Sequence, residues 1–368
     1  MIFITGGTGY LGSYVVTRIL ETTDHEICIL VRGETDQAKE KLWNALQLHM
    51  DEKTFLQFFE TRIKIVSGDV SQKRIGFDQK TFDSVTQNIS SIIHCAASLN
   101  RKSETKCAQI NLMGTLHMIE LAKASPKLTR FSFVSTVAVA GERSHEVVIE
   151  ENSIDWQRRD YDPYARTKKF CEEMVQSSLS NLSVIIFRPS IVLGDSRFSQ
   201  TTQFDMAFAF AKLSRFPILP FDPAWKLDIV PANFVGFSIA DIHCKEKPEH
   251  AIYHLSSGKQ SPTFEEIAKT LHQSGYHRKT LFAPFLLKPF TWIINALNYL
   301  PRNLFITKAA ALMKVFLPYL AFDTVFDHEK ITQELQNKPE SFTQYCSGFY
   351  EFVQKNKFRY PYKKLQKG

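Results

Sequence analysis

The feature that most constrains the fold lies at the amino terminus, where the chain reads Ile2-Phe-Ile-Thr-Gly6-Gly-Thr-Gly9-Tyr-Leu-Gly12. An apolar, β-branched run passes straight into glycines and then into residues with helical periodicity. With no Cβ at Gly6 or Gly9, the backbone can come close to a bulky anion, and a helix N-terminus behind the turn favours negative charge. Gly12 lets that helix pack closely on the strand. The segment therefore reads as the opening of a βαβ unit that cradles a dinucleotide pyrophosphate. Gly6, Thr8, Gly9, Tyr10, Leu11 and Gly12 are its candidate contacts.

The first half of the chain continues this rhythm. Short apolar runs at 2–5, 26–31, 63–67, 91–94, 131–134 and 184–188 alternate with helical spacing over 10–22, 107–124 and 163–179. Continuous apolar strands separated by helices specify an α/β fold, a Rossmann-type doubly wound parallel sheet. The 37–60 insertion also reads as helical, with Leu42, Leu46, Phe55 and Phe59 on one face. After Asp195 the pattern changes. Strand-like Asp228–Val230 and Ile252–Leu255 persist among helical, Pro-punctuated apolar segments. The expected organisation is a dinucleotide-binding domain over 1–195, joined by some later strands, and an apolar, mainly helical substrate region over 196–353. A loosely ordered basic tail is expected over 354–368.

Composition excludes several classes. Of 368 residues, 44% are hydrophobic and 23% charged, which excludes disorder and a small disulfide scaffold. The net charge of 45 − 38 = +7 is spread along the chain without a stripe. That argues against nucleic acid and for anionic substrates or phosphate-bearing cofactors. The six cysteines are scattered, with no CxxC pair, as expected in a reducing compartment. Met1 is followed by no basic region or cleavable apolar stretch, so a cytoplasmic location is expected.

Phenylalanine is abundant at 30 copies, and Leu281–Phe322 is unusually apolar. A spanning helix needs about 18 or more apolar residues, and Lys288, Arg302, Lys308 and Lys314 interrupt the stretch, as do Pro284, Pro289, Pro301 and Pro318. It is expected to be core, a ligand pocket or a peripheral membrane contact.

Chemistry concentrates in a few positions. The second strand ends Leu30-Val-Arg32-Gly33, with no carboxylate for ribose hydroxyls; Arg32 instead suits a 2′-phosphate, so NADP(H) is expected. Lys41 is a candidate second cation from the next helix. Tyr164 and Lys168, at i and i+4, share a helix face, where an ammonium beside a phenol would lower its pKa. Ser135 and Thr136 close a strand whose carboxyl end faces the ligand crevice of a parallel sheet. His94 and His254 have no second ligand at i+3 or i+4, so they are expected to be structural, and no metal site is expected.

These residues together resemble an extended short-chain dehydrogenase/reductase over roughly 1–260. Gly68-Asp69-Val70, His94-Cys-Ala-Ala97, Asn111, Gly114-Thr115, Thr136, Tyr164, Lys168 and Arg188-Pro189 fall in that family's order. The chain is more closely similar to a subgroup, the thioester reductase domains and fatty acyl-CoA reductases of male-sterility type. Ser67-Gly-Asp-Val-Ser71, His94-Cys-Ala-Ala-Ser-Leu-Asn100 and Arg188-Pro-Ser-Ile-Val-Leu-Gly-Asp-Ser-Arg197 carry that likeness. Arg101-Lys102-Ser103 departs from the more apolar residues expected after Asn100, and the region beyond 280 matches loosely.

The resemblance implies a catalytic triad of Thr136, Tyr164 and Lys168. It also implies cofactor contacts from Asp69, Val70, Ala96, Asn111, Lys168, Pro189 and Ser190. The implied reaction is NADPH-dependent reduction of an acyl-CoA or carrier-bound acyl thioester to an aldehyde, or onward to an alcohol. Helices 107–124 and 163–179 are candidates for homodimer pairing, as in the wider family. The competing readings are a sterol-type hydroxy dehydrogenase, a nucleotide-sugar epimerase or dehydratase, and a non-catalytic NADP(H) sensor. An intact acid–base pair argues against the sensor, and the apolar second half against a sugar site.

Overall fold

The computed structural model describes residues 1–33, 35–149, 154–213, 216–275, 279–297, 305–321 and 323–366. Its centre is a seven-stranded sheet in which every pairing is parallel. In chain order the elements that place the site are β1 (Ile2–Thr5), α1 (Tyr10–Thr22), β2 (Ile27–Val31), β3 (Ile63–Ser67), β4 (Ser91–His94), α2 (Gly114–Lys123), β5 (Arg130–Val134), α3 (Pro163–Ser178), β6 (Ser183–Pro189), α4 (Ala232–Cys244) and β7 (Ile252–Leu255). The strands lie side by side as β7-β6-β5-β4-β1-β2-β3. The order reverses direction between β1 and β4, the switch point where parallel sheets bind ligands.

Each face is covered because β1, β2 and β7 are buried on both sides. On one face Val15, Val16 and Ile19 of α1 meet Val235 and Ile239 of α4. Gly236 makes that crossing close, since a Cβ there would lie 2.3 Å from the Tyr14 Cβ. On the other face Met118 and Leu121 of α2 pack with Cys171 and Val175 of α3. A third cluster joins Leu193, Phe210, Phe221 and Phe264 to Phe342, Phe349 and Tyr350. Residues 252–255 thus return to the sheet, while the third cluster forms the region beside it.

Three expectations change. The helix expected over 107–124 starts earlier, at Glu104, and runs through a π-type turn at Ala108–Met113 before α2. The tail expected to be loose is tied to the 35–61 insertion. Trp43 Nε1 donates to the Lys363 carbonyl at 2.8 Å, and the Lys363 and Gln366 amides donate to Gln47 and Glu52, each at 2.7 Å. Leu365 packs on the core. Its composition is that of a solvated segment, but these distant side chains satisfy its backbone.

The apolar stretch from 281 divides. Ile294, Leu317 and Leu320 are buried, whereas Phe285 is 79% and Trp292 73% exposed. Pro301 and Arg302 lie outside the described residues. No helix among the described residues is long and apolar enough to cross a membrane.

Candidate active site

The glycine turn sits at the switch point. Gly6 has φ of +76°, and a Cβ there would come within 2.7 Å of the Ala96 amide nitrogen after β4. A Cβ on Gly12 would lie 2.0 Å from the Gly6 carbonyl oxygen, so only glycine allows the helix to start there. The N-terminus of α1 carries no side-chain cap and no acidic residue in its first turn. Its free amides and positive dipole end suit a pyrophosphate. His94 braces this floor from behind, bonding Thr5 at 2.7 Å and Thr115 at 3.2 Å, while the Thr5 hydroxyl also accepts from the Ala96 amide. Burial drives its pKa down to about 3, so it is a neutral strut, as is His254.

A cavity of about 970 Å³ opens from this turn. It is lined by Gly6, Thr8, Gly9, Tyr10, Leu11, Gly12, Arg32, Asp69, Val70, Ala96, Thr136, Tyr164, Lys168, Pro189 and Ser190. Two candidates stand outside it. The Lys41 ammonium donates to the Arg32 carbonyl at 2.7 Å, which fixes the loop after β2. Asn111 is buried behind the wall: its Oδ1 accepts from the Ser98 amide at 2.7 Å, and its amide group donates to Thr167 at 3.1 Å. Asn111 therefore shapes the loop after β4 without facing the cavity.

Helix α3 starts as Asp162-Pro163 predicts, with the Asp162 carboxylate accepting from the Ala165 amide at 2.8 Å. Its first turn presents Tyr164 and Lys168. Thr136, just after β5, lines the same cavity as Tyr164, and its hydroxyl accepts from the Ala138 amide at 3.3 Å. Lys168 Nζ donates to the Val134 carbonyl at 2.7 Å and lies 4.4 Å from the centre of the Phe133 ring. A buried ion pair, Arg188 with Glu172 at 2.6 Å, locks α3 to β6 one turn beyond Lys168.

The electrostatics differ from the sequence expectation. Tyr164 is pushed up to about 12, above all by burial, with Asp162 and Cys95 adding to the rise. The cation that opposes the rise is Arg101, with a smaller contribution from the nearby Thr136 hydroxyl. Lys168 is itself lowered by burial. Tyr164 is thus held protonated, the form a proton donor needs.

Sequence reasoning missed the surroundings of the phenol. Arg101 lines the cavity with its guanidinium carbon 4.9 Å from the Tyr164 ring centre and 4.5 Å from that of Tyr319. Asp162 accepts from Arg101 at 3.0 Å and from the Tyr319 hydroxyl at 2.9 Å. Tyr319 stacks on Tyr161 at 4.8 Å. Arg101 was visible only as a departure from the family pattern, and nothing in sequence spacing joins Tyr319 to it. Asp228 also lines the cavity and accepts from Ser190, Ser257 and Phe326; burial raises it to about 6. The apolar far wall comes from Ile191, Val192, Met206, Phe210, Leu320 and Phe326.

Comparison with known proteins agrees with this arrangement. Residues 4–239 match the family model described as male sterility protein. "Fatty acyl-CoA reductase wat" of Drosophila melanogaster is 28% identical over 222 residues, 52% of this chain and 43% of that protein. The chain spans less than half the length of the first curated relatives it matches. The terminal R domain from the myxalamid PKS-NRPS biosynthetic pathway has a similar fold, with a TM-score of 0.82 at 22% identity, covering 97% of this chain and 91% of that one. UDP-glucuronic acid 4-epimerase from Bacillus cereus, solved with NAD, shares the fold at a TM-score of 0.65 and 18% identity, over 97% or more of each chain: 98% of this one and 98% of that one. With its switch-point glycine turn, strand-end hydroxyl and Tyr–Lys helix in one cavity, the chain belongs to the male sterility protein family.

Proposed function

We propose that the protein reduces an acyl thioester with NADPH, giving an aldehyde and, after a second round, an alcohol. One observation carries this reading. A single cavity joins the phosphate-suited turn, the Thr136/Tyr164/Lys168 group and an apolar wall built largely by the C-terminal region. Neither a sugar site nor a cofactor sensor needs that combination.

The residues present fit the cofactor: Gly6 and Gly12 leave room that a Cβ would fill, and α1 offers an uncapped N-terminus. Gly6, Gly9 and Tyr10–Gly12 would hold the pyrophosphate, Asp69, Val70 and Ala96 the adenosine side and the sheet floor, and Arg32 the 2′-phosphate. When bound, NADPH supplies a hydride to the thioester carbonyl carbon. Thr136 and Tyr164 hold the carbonyl oxygen, and Tyr164 gives it a proton as negative charge develops. Collapse of the resulting hemithioacetal breaks the C–S bond, so the thiol leaves and the aldehyde remains. Lys168, beneath this group, is placed to return charge balance to the phenol. The apolar wall takes the acyl chain, where each buried CH₂ contributes about 0.8 kcal/mol.

The test is NADPH oxidation with a long-chain acyl-CoA, followed by product analysis. Aldehyde or alcohol formation supports the reading; tight NADPH binding without turnover on any thioester overturns it. Arg32→Ala tests the cofactor assignment. Arg32 is exposed at the strand end, so loss of its charge-assisted bond should reduce the NADPH-over-NADH preference in kcat/KM by about tenfold. An unchanged preference would remove Arg32 from the cofactor site.

A further inference from the structure

Arg101 stands where a hydrocarbon site would place an apolar side chain. It lines the catalytic cavity beside the Tyr164 ring. Its guanidinium carbon lies over the rings of both Tyr164 and Tyr319, and one nitrogen, Nη1, donates to Asp162. A guanidinium carries five N–H donors, and Asp162 is the one hydrogen-bond partner of the Arg101 side chain among the described residues. The side chain keeps 17% of its surface accessible, and that surface faces the cavity it lines. The remaining donors are therefore available to a ligand in the cavity that Arg101 shares with Tyr164.

An acyl chain of plain hydrocarbon would cover those donors without replacing the water that serves them. Such unpaired burial disfavours the complex, whereas an oxygen in the right place satisfies the donors. Sites built to hydrogen-bond a substrate group discriminate strongly against the analogue lacking it. Asp162 balances the positive charge, and Asp162 is itself satisfied by the Ala165 amide and the Tyr319 hydroxyl. The pair therefore calls for a neutral acceptor in place of a carboxylate. Further out, Met206, Phe210 and Leu320 keep the cavity apolar.

Resting on the thioester reductase reading, we infer that Arg101 makes the enzyme selective for acyl thioesters bearing a neutral oxygen, hydroxyl or carbonyl, one or two carbons from the thioester carbonyl, followed by an apolar chain. Arg101 acts here as a specificity residue.

The experiment compares kcat/KM for decanoyl-CoA, 2-hydroxydecanoyl-CoA and 3-hydroxydecanoyl-CoA with NADPH. For the native protein, at least one hydroxyacyl substrate should exceed decanoyl-CoA by about tenfold or more. In Arg101→Met, which keeps the volume and leaves Asp162 its other two donors, that ratio should fall to near one. Decanoyl-CoA performing as well as both hydroxyacyl substrates in the native protein overturns the inference without any variant. A ratio that survives in Arg101→Met also overturns it. Should Arg101→Met not fold, Arg101→Lys replaces the planar fork by a point charge, and an unchanged ratio there is equally fatal. Turnover of decanoyl-CoA alone leaves the reductase reading standing while the inference fails; no turnover of any of the three removes the inference, and tight NADPH binding without turnover of any other thioester removes the reductase reading as well.

Discussion

Tyr164→Phe is expected to lower NADPH-dependent turnover of a long-chain acyl-CoA by about 10²–10⁴-fold while leaving NADPH affinity and melting temperature close to native. The substitution removes one oxygen. The aromatic ring, which packs beneath Arg101, remains, and the Thr136 hydroxyl keeps the Ala138 amide as a partner at 3.3 Å. What disappears is the proton donor itself. Because burial holds that phenol near 12, it stays protonated across the neutral range and loses the donor form only as pH climbs toward that value. Turnover limited by this proton should accordingly be flat between about pH 6 and 9. Steady-state rates at saturating NADPH, with cofactor binding measured separately, check the prediction. A variant keeping more than about a tenth of native turnover would show that Tyr164 is not the acid, since donors of this kind contribute far more than that.

The second large effect concerns stability in acid. His94, His243 and His254 are almost wholly buried, each hydrogen-bonded and each held near 3 by desolvation. In the unfolded chain they titrate near 6.5. Between these values the unfolded state binds more protons, so stability is lost as pH falls below about 6.5. Asp228 acts in the opposite sense: its folded value of about 6 lies above the ordinary 3.8, so the native state holds the extra proton in that window. His49, bonded to Ser13, is likewise held near 3 by burial, so from about pH 6 to pH 4 the balance is four protons less one, or three net. At about 1.4 kcal/mol per proton per pH unit, stability should fall by about 4 kcal/mol for each unit. Against a total of about 5–15 kcal/mol, that brings unfolding within reach near pH 4–5. Melting temperatures from pH 7.5 to 4.5 measure this, and a melting temperature that holds steady down to pH 5 would refute it.

The legible part of the molecule was local. The inner strands announced themselves as apolar runs, because a strand covered on both faces has little polar side to show, while the edge strand β3 carries exposed Lys64 and Ser67. The glycine turn was legible because backbone contacts at Gly6 and Gly12 forbid any other residue there. Thr136, Tyr164 and Lys168 could be picked out because strand end and helix face set their positions within a few residues of chain. For Lys41, read from its place in the next helix, and Asn111, taken from the family resemblance, the sequence did not show the contacts their side chains make with the Arg32 carbonyl and the Ser98 amide.

By itself, then, the sequence determined the parallel sheet, the glycine turn at its switch point and the Tyr164–Lys168 helix face, since each depends on residues close together in the chain. Only the tertiary structure decided the environment of that pair. It set Arg101 and Tyr319 around the Tyr164 ring, turned Lys168 to the Val134 carbonyl, docked the tail on Trp43 and split the 281–321 stretch between cavity wall, core and exposed face. The physical reason is that burial and long-range pairing, which fix pKa values and donor directions, arise only when segments far apart in the chain meet.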